Sequence, residues 1–104
     1  MAQYDVYANP SASAGAGIPY VVVMQSDLLD GLATRLVVPL AAHDPLAKMP
    51  SALCPVLVVK GKRFNALAHY AAPLPARLLR RPVGNVAAQA SVLISAIDAM
   101  LSGL

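Results

Sequence analysis

Few side chains in this sequence have the types and spacing that catalysis requires. His43 is followed directly by Asp44, and a carboxylate next to a histidine can orient it as a general base. Neighbouring residues on a strand point to opposite faces, however, so we do not expect this pair to act together. Cys54 is the single cysteine, and no histidine lies near it in the sequence. We interpret it as a small buried apolar residue and not as a nucleophile.

Patterns that bind metals or phosphates are also absent. Asp27 and Asp30 are close enough to share a turn, but a third ligand is missing. We expect Asp27 to accept hydrogen bonds from backbone N–H groups of the turn. One cysteine excludes both an internal disulfide and a Cys₄ zinc site. With no G-x-S-x-G motif and no glycine-rich phosphate loop, we predict a protein that is not an enzyme and has no metal or cofactor.

The composition indicates that part of the surface is covered by another chain. The 104 residues are enough for a single domain, 1–104. Hydrophobic residues make up 58% and charged residues only 12%, against roughly 25% charged in ordinary soluble domains. A small domain has little interior for so many apolar side chains, which favours a homodimer. No apolar run is long enough to span a membrane, and the first residues lack a secretory pattern, so we expect a cytoplasmic protein.

The net charge of +3 is consistent with an anionic partner. The one cluster of basic residues is Arg77, Arg80 and Arg81, within the sequence PARLLRRP. It fits a solvated turn between prolines, and it also fits a phosphate-binding patch. No aromatic residues are interleaved with it for base stacking, so we expect no direct sequence-specific binding of nucleic acid.

The hydropathy pattern predicts strands in the first two-thirds of the chain. They are expected at 3–8, 18–25, 33–41, 54–60 and 62–69, with a loop at 9–17 and an irregular segment at 73–82. Gly61 supplies the positive φ of a hairpin turn between the last two strands. Pro39 is expected to place its part of the strand at a sheet edge or a bulge.

The last segment has the period of an amphipathic helix, with Asn85 as the predicted N-cap. Its apolar stripe contains Val86, Ala90, Leu93, Ile97, Met100, Leu101 and Leu104, and its polar face contains Ser91, Ser95, Asp98 and Ser102. Strands followed by one helix predict an α+β, mainly β domain, in which an antiparallel sheet or small barrel packs against a C-terminal helix.

One longer pattern points to a known family. The run QSDLLD at 25–30 is followed by RLVVPL at 35–40. With Val6-Tyr7 near the start, Pro55-Val56 later and Gly103-Leu104 at the end, this chain resembles the CcdB family of plasmid-maintenance toxins. The resemblance implies a homodimer with an SH3-like antiparallel core and a C-terminal helix. It also implies a toxin of a type II toxin–antitoxin module, which binds the DNA gyrase A subunit and traps the cleavage complex. A CcdA-like antitoxin with a disordered segment would neutralise it.

The resemblance also assigns target-binding positions. The aliphatic pair after QSD corresponds to Leu28 and Leu29. The remaining gyrase-binding positions are at the tail: Asp98, Leu101, Ser102, Gly103 and Leu104. The best-known gyrase poison of the family has a tryptophan at the position of Ser102, whereas this chain contains no tryptophan. A tryptophan at the centre of an interface commonly contributes about 2 kcal/mol or more.

Two alternatives follow from this departure. The first keeps the CcdB fold and antitoxin binding but has no gyrase binding. The second is an RNA-cleaving toxin similar to the MazF group, whose barrel the CcdB fold resembles. That activity requires basic and acid–base residues that converge on a groove. Its candidates here are Arg35, Lys60, Lys62, Arg63 and His69.

Overall fold

A computed structural model describes residues 2–29, 31–46 and 50–102. In chain order the elements are β1 Asp5–Ala8, β2 Tyr20–Val23, β3 Thr34–Ala42, β4 Val56–Val59, β5 Lys62–Ala66, β6 Ala72–Pro75, β7 Gly84–Asn85 and α1 Ala90–Ser102. Short 3₁₀ helices occupy Ala12–Ala16, Asp27–Leu29, Ala68–Tyr70, Ala76–Leu78 and Ala87–Gln89.

The strands form one antiparallel sheet that is organised around β3. Its path runs β4-β5-β3-β2-β1-β7, and β6 pairs with β3 as a branch. Along one side β3 pairs with β2, while its other side pairs first with β6, over Thr34 to Val37, and then with β5, over Leu40 to Ala42. Exchanging one partner for another along a single strand bends the sheet towards a barrel. The fold is therefore α+β and mainly β with one C-terminal helix, as predicted.

The two faces of the sheet bury different clusters because side chains alternate along each strand. One face contributes Val6, Val22 and Val38 to the main core, which the helix covers with Leu93. The intervening residues Tyr7, Val21, Val23 and Val37 form a second cluster on the other face together with Leu79, and Leu74 packs against it. The β-branched runs of the sequence are thus buried on both faces.

The hairpin between β4 and β5 has the predicted glycine and one feature that was not predicted. Gly61 has a φ of +76°, and the preceding Lys60 has a φ of +52°. With Val59 opposite Lys62, these two residues form a two-residue turn, and positive φ at both positions is typical of a type I′ turn. The turn twists in the sense of the strands that it joins, and Gly61 therefore fixes the register of this hairpin.

Pro39 lies inside the sheet, so its predicted edge position is wrong. It is opposite Val21, and it falls between the stretch of β3 that pairs with β6 and the stretch that pairs with β5. Proline has no backbone N–H, and at this position none is needed, because the pairing with β6 ends at Val37 and the pairing with β5 begins at Leu40. The carbonyl of Pro39 accepts a hydrogen bond from the Leu67 N–H at 2.9 Å.

The segment 73–82 is more regular than we predicted, because it contains β6. Pro73 and Pro75 are opposite Leu36 and Thr34 of β3, and β6 has no second strand partner among the described residues. Prolines are tolerated on such an edge strand because their missing N–H groups leave no inner ladder broken.

The helix begins later than predicted, at Ala90. Asn85 belongs to β7, where it is opposite Asp5, and its Oδ1 accepts a hydrogen bond from the Ala87 N–H at 2.8 Å. Within the helix Leu93 and Ala96 are buried, whereas Leu101 is 76% exposed. The apolar stripe therefore packs against the sheet only in its earlier turns. No helix in the described part of the chain is long and apolar enough to cross a membrane.

A side chain from the helix start closes one edge of the sheet. Strand β4 is a terminal strand, and the backbone of Val58 faces outwards from it. Gln89 accepts a hydrogen bond from the Val58 N–H through Oε1 at 2.9 Å. It also donates through Nε2 to the Val58 carbonyl at 3.0 Å. One amide side chain thus makes both bonds that a neighbouring strand would make at Val58, which blocks pairing of another strand at this residue.

We predict that Gln89→Ala lowers the free energy of unfolding by about 2 kcal/mol, since two hydrogen bonds of about 1 kcal/mol each are lost. Urea unfolding measures this change, and amide hydrogen exchange should show faster exchange at Val58. Gln89→Glu is the informative comparison, because it keeps an acceptor for the N–H but turns a carboxylate towards the Val58 carbonyl. Unchanged exchange at Val58 in both variants would contradict the proposed role of this side chain.

Candidate functional site

The segment that contains the leucine pair is fixed by the side chain of Gln25. Its Nε2 donates to the carbonyls of Leu29 and Thr34, at 3.1 and 3.3 Å. Its Oε1 accepts from the Leu36 N–H at 3.2 Å. One amide group therefore ties both ends of the loop between β2 and β3, which explains why a glutamine suits the start of the QSD motif.

The next two residues of the motif satisfy backbone groups. Ser26 forms a local turn, in which its Oγ accepts from the Leu28 N–H at 3.2 Å and its carbonyl accepts from the Leu29 N–H at 2.9 Å. Asp27 accepts a hydrogen bond at 2.6 Å from the backbone N–H of Gln3. Asp27 thus bonds a backbone N–H as predicted, but the donor is Gln3 and not a residue of its own turn, so the prediction is confirmed only in part. Asp30 lies outside the described residues.

The side chain of Arg35 holds the loop between β2 and β3 by hydrogen bonds to its backbone. It is only 6% exposed, and its Nη1 donates to the carbonyl of Leu32 and, at 2.9 Å, to that of Thr34. A buried guanidinium is costly to desolvate unless it is well bonded, so this residue has a structural role in the loop. It is therefore an unsuitable member of an RNA-binding groove.

This scaffold presents the leucine pair to solvent. Leu28 is 94% exposed and Leu29 is 49% exposed. Nearby in sequence, Leu32 and Leu36 are 54% and 40% exposed, which extends the apolar surface beyond the predicted pair. A loop that is fixed by hydrogen bonds and nevertheless exposes large aliphatic side chains is well suited to bind an apolar partner surface. The only signal for Leu32 and Leu36 in the sequence was their hydrophobicity, which indicates burial as readily as exposure.

The predicted tail residues lie on the last turn of α1. Asp98, Leu101 and Ser102 are all exposed, and the Ser102 Oγ donates to the Asp98 carbonyl at 2.6 Å. The serine side chain is thereby folded back along its own helix and offers little surface to a partner. The predicted positions Gly103 and Leu104 lie outside the described residues.

The structure thus resolves the predicted site into two groups: the leucine pair on its loop, and the helix end. No hydrogen bond among the described residues connects them. Each group exposes one large aliphatic residue almost completely, Leu28 at 94% and Leu101 at 76%. Both groups remain predicted binding positions.

The side chains that could act as acids, bases or nucleophiles lie at a cavity that contains none of the predicted gyrase-binding residues. His43, Asp44, Cys54 and Asn65 line a cavity of about 330 Å³. The Nδ1 of His43 lies 2.8 Å from Asn65 Oδ1, whereas Asp44 accepts a hydrogen bond from the Leu46 N–H. The neighbouring His43 and Asp44 therefore have separate partners, as expected. Among the described residues, no three His, Cys, Asp or Glu side chains are grouped closely enough to hold a metal ion.

Cys54 is buried, as predicted, but it does have a histidine neighbour. His69 Nδ1 lies 3.8 Å from its Sγ, a proximity that the sequence separation concealed. Burial raises the pKa of the Cys54 thiol, which disfavours the thiolate that a nucleophile requires. The two side chains are therefore in contact, but burial opposes the ionisation of the thiol.

The basic residues proposed for RNA cleavage lie in two separate parts of the sheet. Lys60, Lys62 and Arg63 lie at the β4–β5 hairpin, beyond the end of β3 at Ala42. Arg35 is near the opposite end of β3, roughly 20 Å away at about 3.3 Å per residue. Arg35 therefore does not share a groove with the three residues of the hairpin.

The fold and its exposed groups define a small antiparallel β-barrel-like domain that presents apolar side chains on one loop and one helix end. A model of the family described as CcdB protein matches residues 3–103, nearly the whole chain, and the chain therefore belongs to the CcdB family. Membership places it among the toxins of toxin–antitoxin systems. A search of curated proteins gave no match.

Proposed function

We propose that this toxin binds the A subunit of DNA gyrase and traps the cleavage complex. The observation that carries the proposal is the 94% exposure of Leu28 on a loop that Gln25, Ser26 and Asp27 hold in place. Leu28 occupies the position of the aliphatic pair with which the family contacts its target. A preorganised loop loses little conformational entropy on binding, so an exposed leucine there contributes most of its apolar area to affinity.

The test compares two leucines of nearly equal exposure. We predict that Leu28→Ala reduces gyrase poisoning about tenfold, as expected when one apolar anchor worth about 1.4 kcal/mol is lost. Leu46→Ala is the matched control, because Leu46 is 88% exposed but belongs to a different loop. Purified gyrase, DNA and each variant are assayed for trapped cleavage complexes, and growth arrest is measured in cells without antitoxin.

Both substitutions are at exposed positions, so unfolding free energies should stay within about 0.5 kcal/mol of the parent protein. Equal poisoning by the two variants would remove Leu28 from the binding surface. Complete absence of cleavage complexes with the parent protein would overturn the gyrase proposal itself.

A second function is favoured by one observation at the helix end. Ser102, which replaces the tryptophan of the best-known family member, bonds back to the Asp98 carbonyl and offers no large contact surface. In this alternative the protein keeps its antitoxin but lacks gyrase as a target. The two proposals differ in what restoring an aromatic residue would do.

We predict that Ser102→Trp increases affinity for the gyrase A subunit at least tenfold, because a large rigid ring is added to an exposed helix end. Surface plasmon resonance with immobilised gyrase A measures it, and Ser91→Trp at the start of the same polar face is the control. If the parent protein poisons gyrase and Ser102→Trp adds nothing, the helix end lies outside the interface. If only the tryptophan variant binds, the alternative function is favoured.

We also propose that the toxin is a homodimer in the cytoplasm, where a CcdA-like antitoxin neutralises it. Support comes from the large aliphatic side chains that a single chain leaves exposed, among them Val56 at 44%, Val58 at 49% and Ile94 at 46%. In this proposal gyrase holds the DNA, and the toxin itself binds neither a DNA sequence nor a membrane.

We predict that sedimentation equilibrium gives a mass twice the 10.8 kDa of one chain. Because apolar area drives such an association, the dimer should persist at high salt. A monomer at concentrations well above those that arrest growth would contradict this prediction.

A further inference from the structure

Two of the three clustered arginines border a cavity that contains none of the predicted gyrase-binding residues. Arg80 and Arg81 line a space of about 260 Å³ together with Leu78 and Pro10, next to the end of β1. The other lining residues are Tyr7, Ala8 and Asn9. Of the two interpretations that the sequence left open, a simple turn and an anion site, this geometry supports the second.

The backbone that carries the two arginines is anchored at both ends. On one side Leu79 is buried in the second apolar cluster, at 4% exposure. On the other side the Val83 N–H donates to the Val6 carbonyl of β1 at 2.7 Å. Pro82 further restricts Arg81 to extended backbone conformations. Arg80 and Arg81 therefore start from a fixed segment, which lowers the entropy cost of closing on a ligand.

The opposite wall of the cavity is also fixed. Asn9 donates through Nδ2 to the Ile18 carbonyl at 2.8 Å, and its Oδ1 accepts from the Ser11 N–H at 3.0 Å. Tyr7 is 4% exposed and belongs to the apolar cluster beneath. The cavity thus has a floor and one wall that are held by hydrogen bonds and packing, with two exposed cationic side chains on the remaining side.

The positive charge at this cavity is not neutralised within the described chain. No described carboxylate pairs with Arg80 or Arg81. Three aspartates are engaged elsewhere, since Asp5, Asp27 and Asp44 accept hydrogen bonds from backbone N–H groups in other parts of the fold. The charge of these two arginines is therefore available to an external anion.

The chemistry of the lining distinguishes between possible anions. A nucleic acid would require an exposed ring for stacking and a track of cations along its backbone. Tyr7 is buried, and Lys60, Lys62 and Arg63 on the β4–β5 hairpin do not line the cavity. Leu78, at 44% exposure, and Pro10 provide apolar contact beside the arginines. Carboxylates next to an aliphatic side chain, as in an acidic peptide, match this combination.

We propose that this cavity binds an acidic segment of the antitoxin, with carboxylates on Arg80 and Arg81 and an aliphatic side chain against Leu78. The identity of the partner rests on the proposed function, whereas the chemistry of the segment rests on the cavity alone. The charge-assisted bonds are at the surface, so they set specificity and weaken as salt is added.

The test uses a fluorescent peptide of alternating Glu and Leu, a matched peptide of Gln and Leu, inorganic phosphate and a single-stranded oligonucleotide. Fluorescence anisotropy or competition is measured with the parent protein, with R80Q/R81Q and with K62Q/R63Q. Both double variants lose the same charge, but the second loses it at residues that do not line the cavity. We expect the Glu peptide to bind the parent protein and K62Q/R63Q alike, and R80Q/R81Q about tenfold or more weakly.

Equal weakening in the two double variants would reduce the effect to net charge and overturn the site. Displacement of the peptide by phosphate or by the oligonucleotide at equal concentration would overturn the choice of a peptide. The cleavage assay is scored separately. A protein that binds the Glu peptide without trapping gyrase complexes loses only the gyrase proposal, and one that traps complexes without binding the peptide loses only this cavity.

Discussion

The structure depends on the exchange of partners along β3. A strand of nine residues pairs with β2 on one side and with β6 and then β5 on the other. This exchange sets the bend of the sheet, and it also determines where the two loops around the strand must lie. The loop that leads into β3 carries the leucine pair, and Arg35, one residue into the strand, holds that loop by its carbonyls. The start of β3 thus helps to hold the loop on which Leu28 is exposed.

Much of this architecture could be predicted from the sequence because β-branched runs and turn glycines report on local structure. The hairpin at Gly61, the terminal helix and the strands around Val22 and Val38 were predictable for that reason. Pro39 and β6 were not, since both depend on which strand lies opposite, and pairing between remote segments leaves no local signal. The predicted start of the helix is too early because Asn85, a residue type that favours helix N-caps, pairs with Asp5 of β1 instead.

The candidate site also depends on contacts between segments that are remote in sequence. The QSDLL run identified the loop, yet hydrophobicity alone assigns Leu28 to the interior as easily as to the surface. What exposes it is a set of hydrogen bonds from polar neighbours to backbone groups, including one to Gln3 from a different part of the chain. The contact between Cys54 and His69 was hidden in the same way, and so was the rigid base beneath Arg80 and Arg81. Contacts of this kind arise only once the sheet has assembled.

The closure of the β4 edge by Gln89 has a consequence for the order of synthesis. Val58 and Gln89 are 31 residues apart, so β4 and β5 leave the ribosome before the side chain that covers their edge. During that interval the nascent hairpin has outward-facing backbone groups and the exposed side chains of Val56 and Val58. A chain that ends before residue 89 lacks this cover and exposes the Val58 backbone groups to pairing with another strand. Only completed toxin molecules have that edge covered.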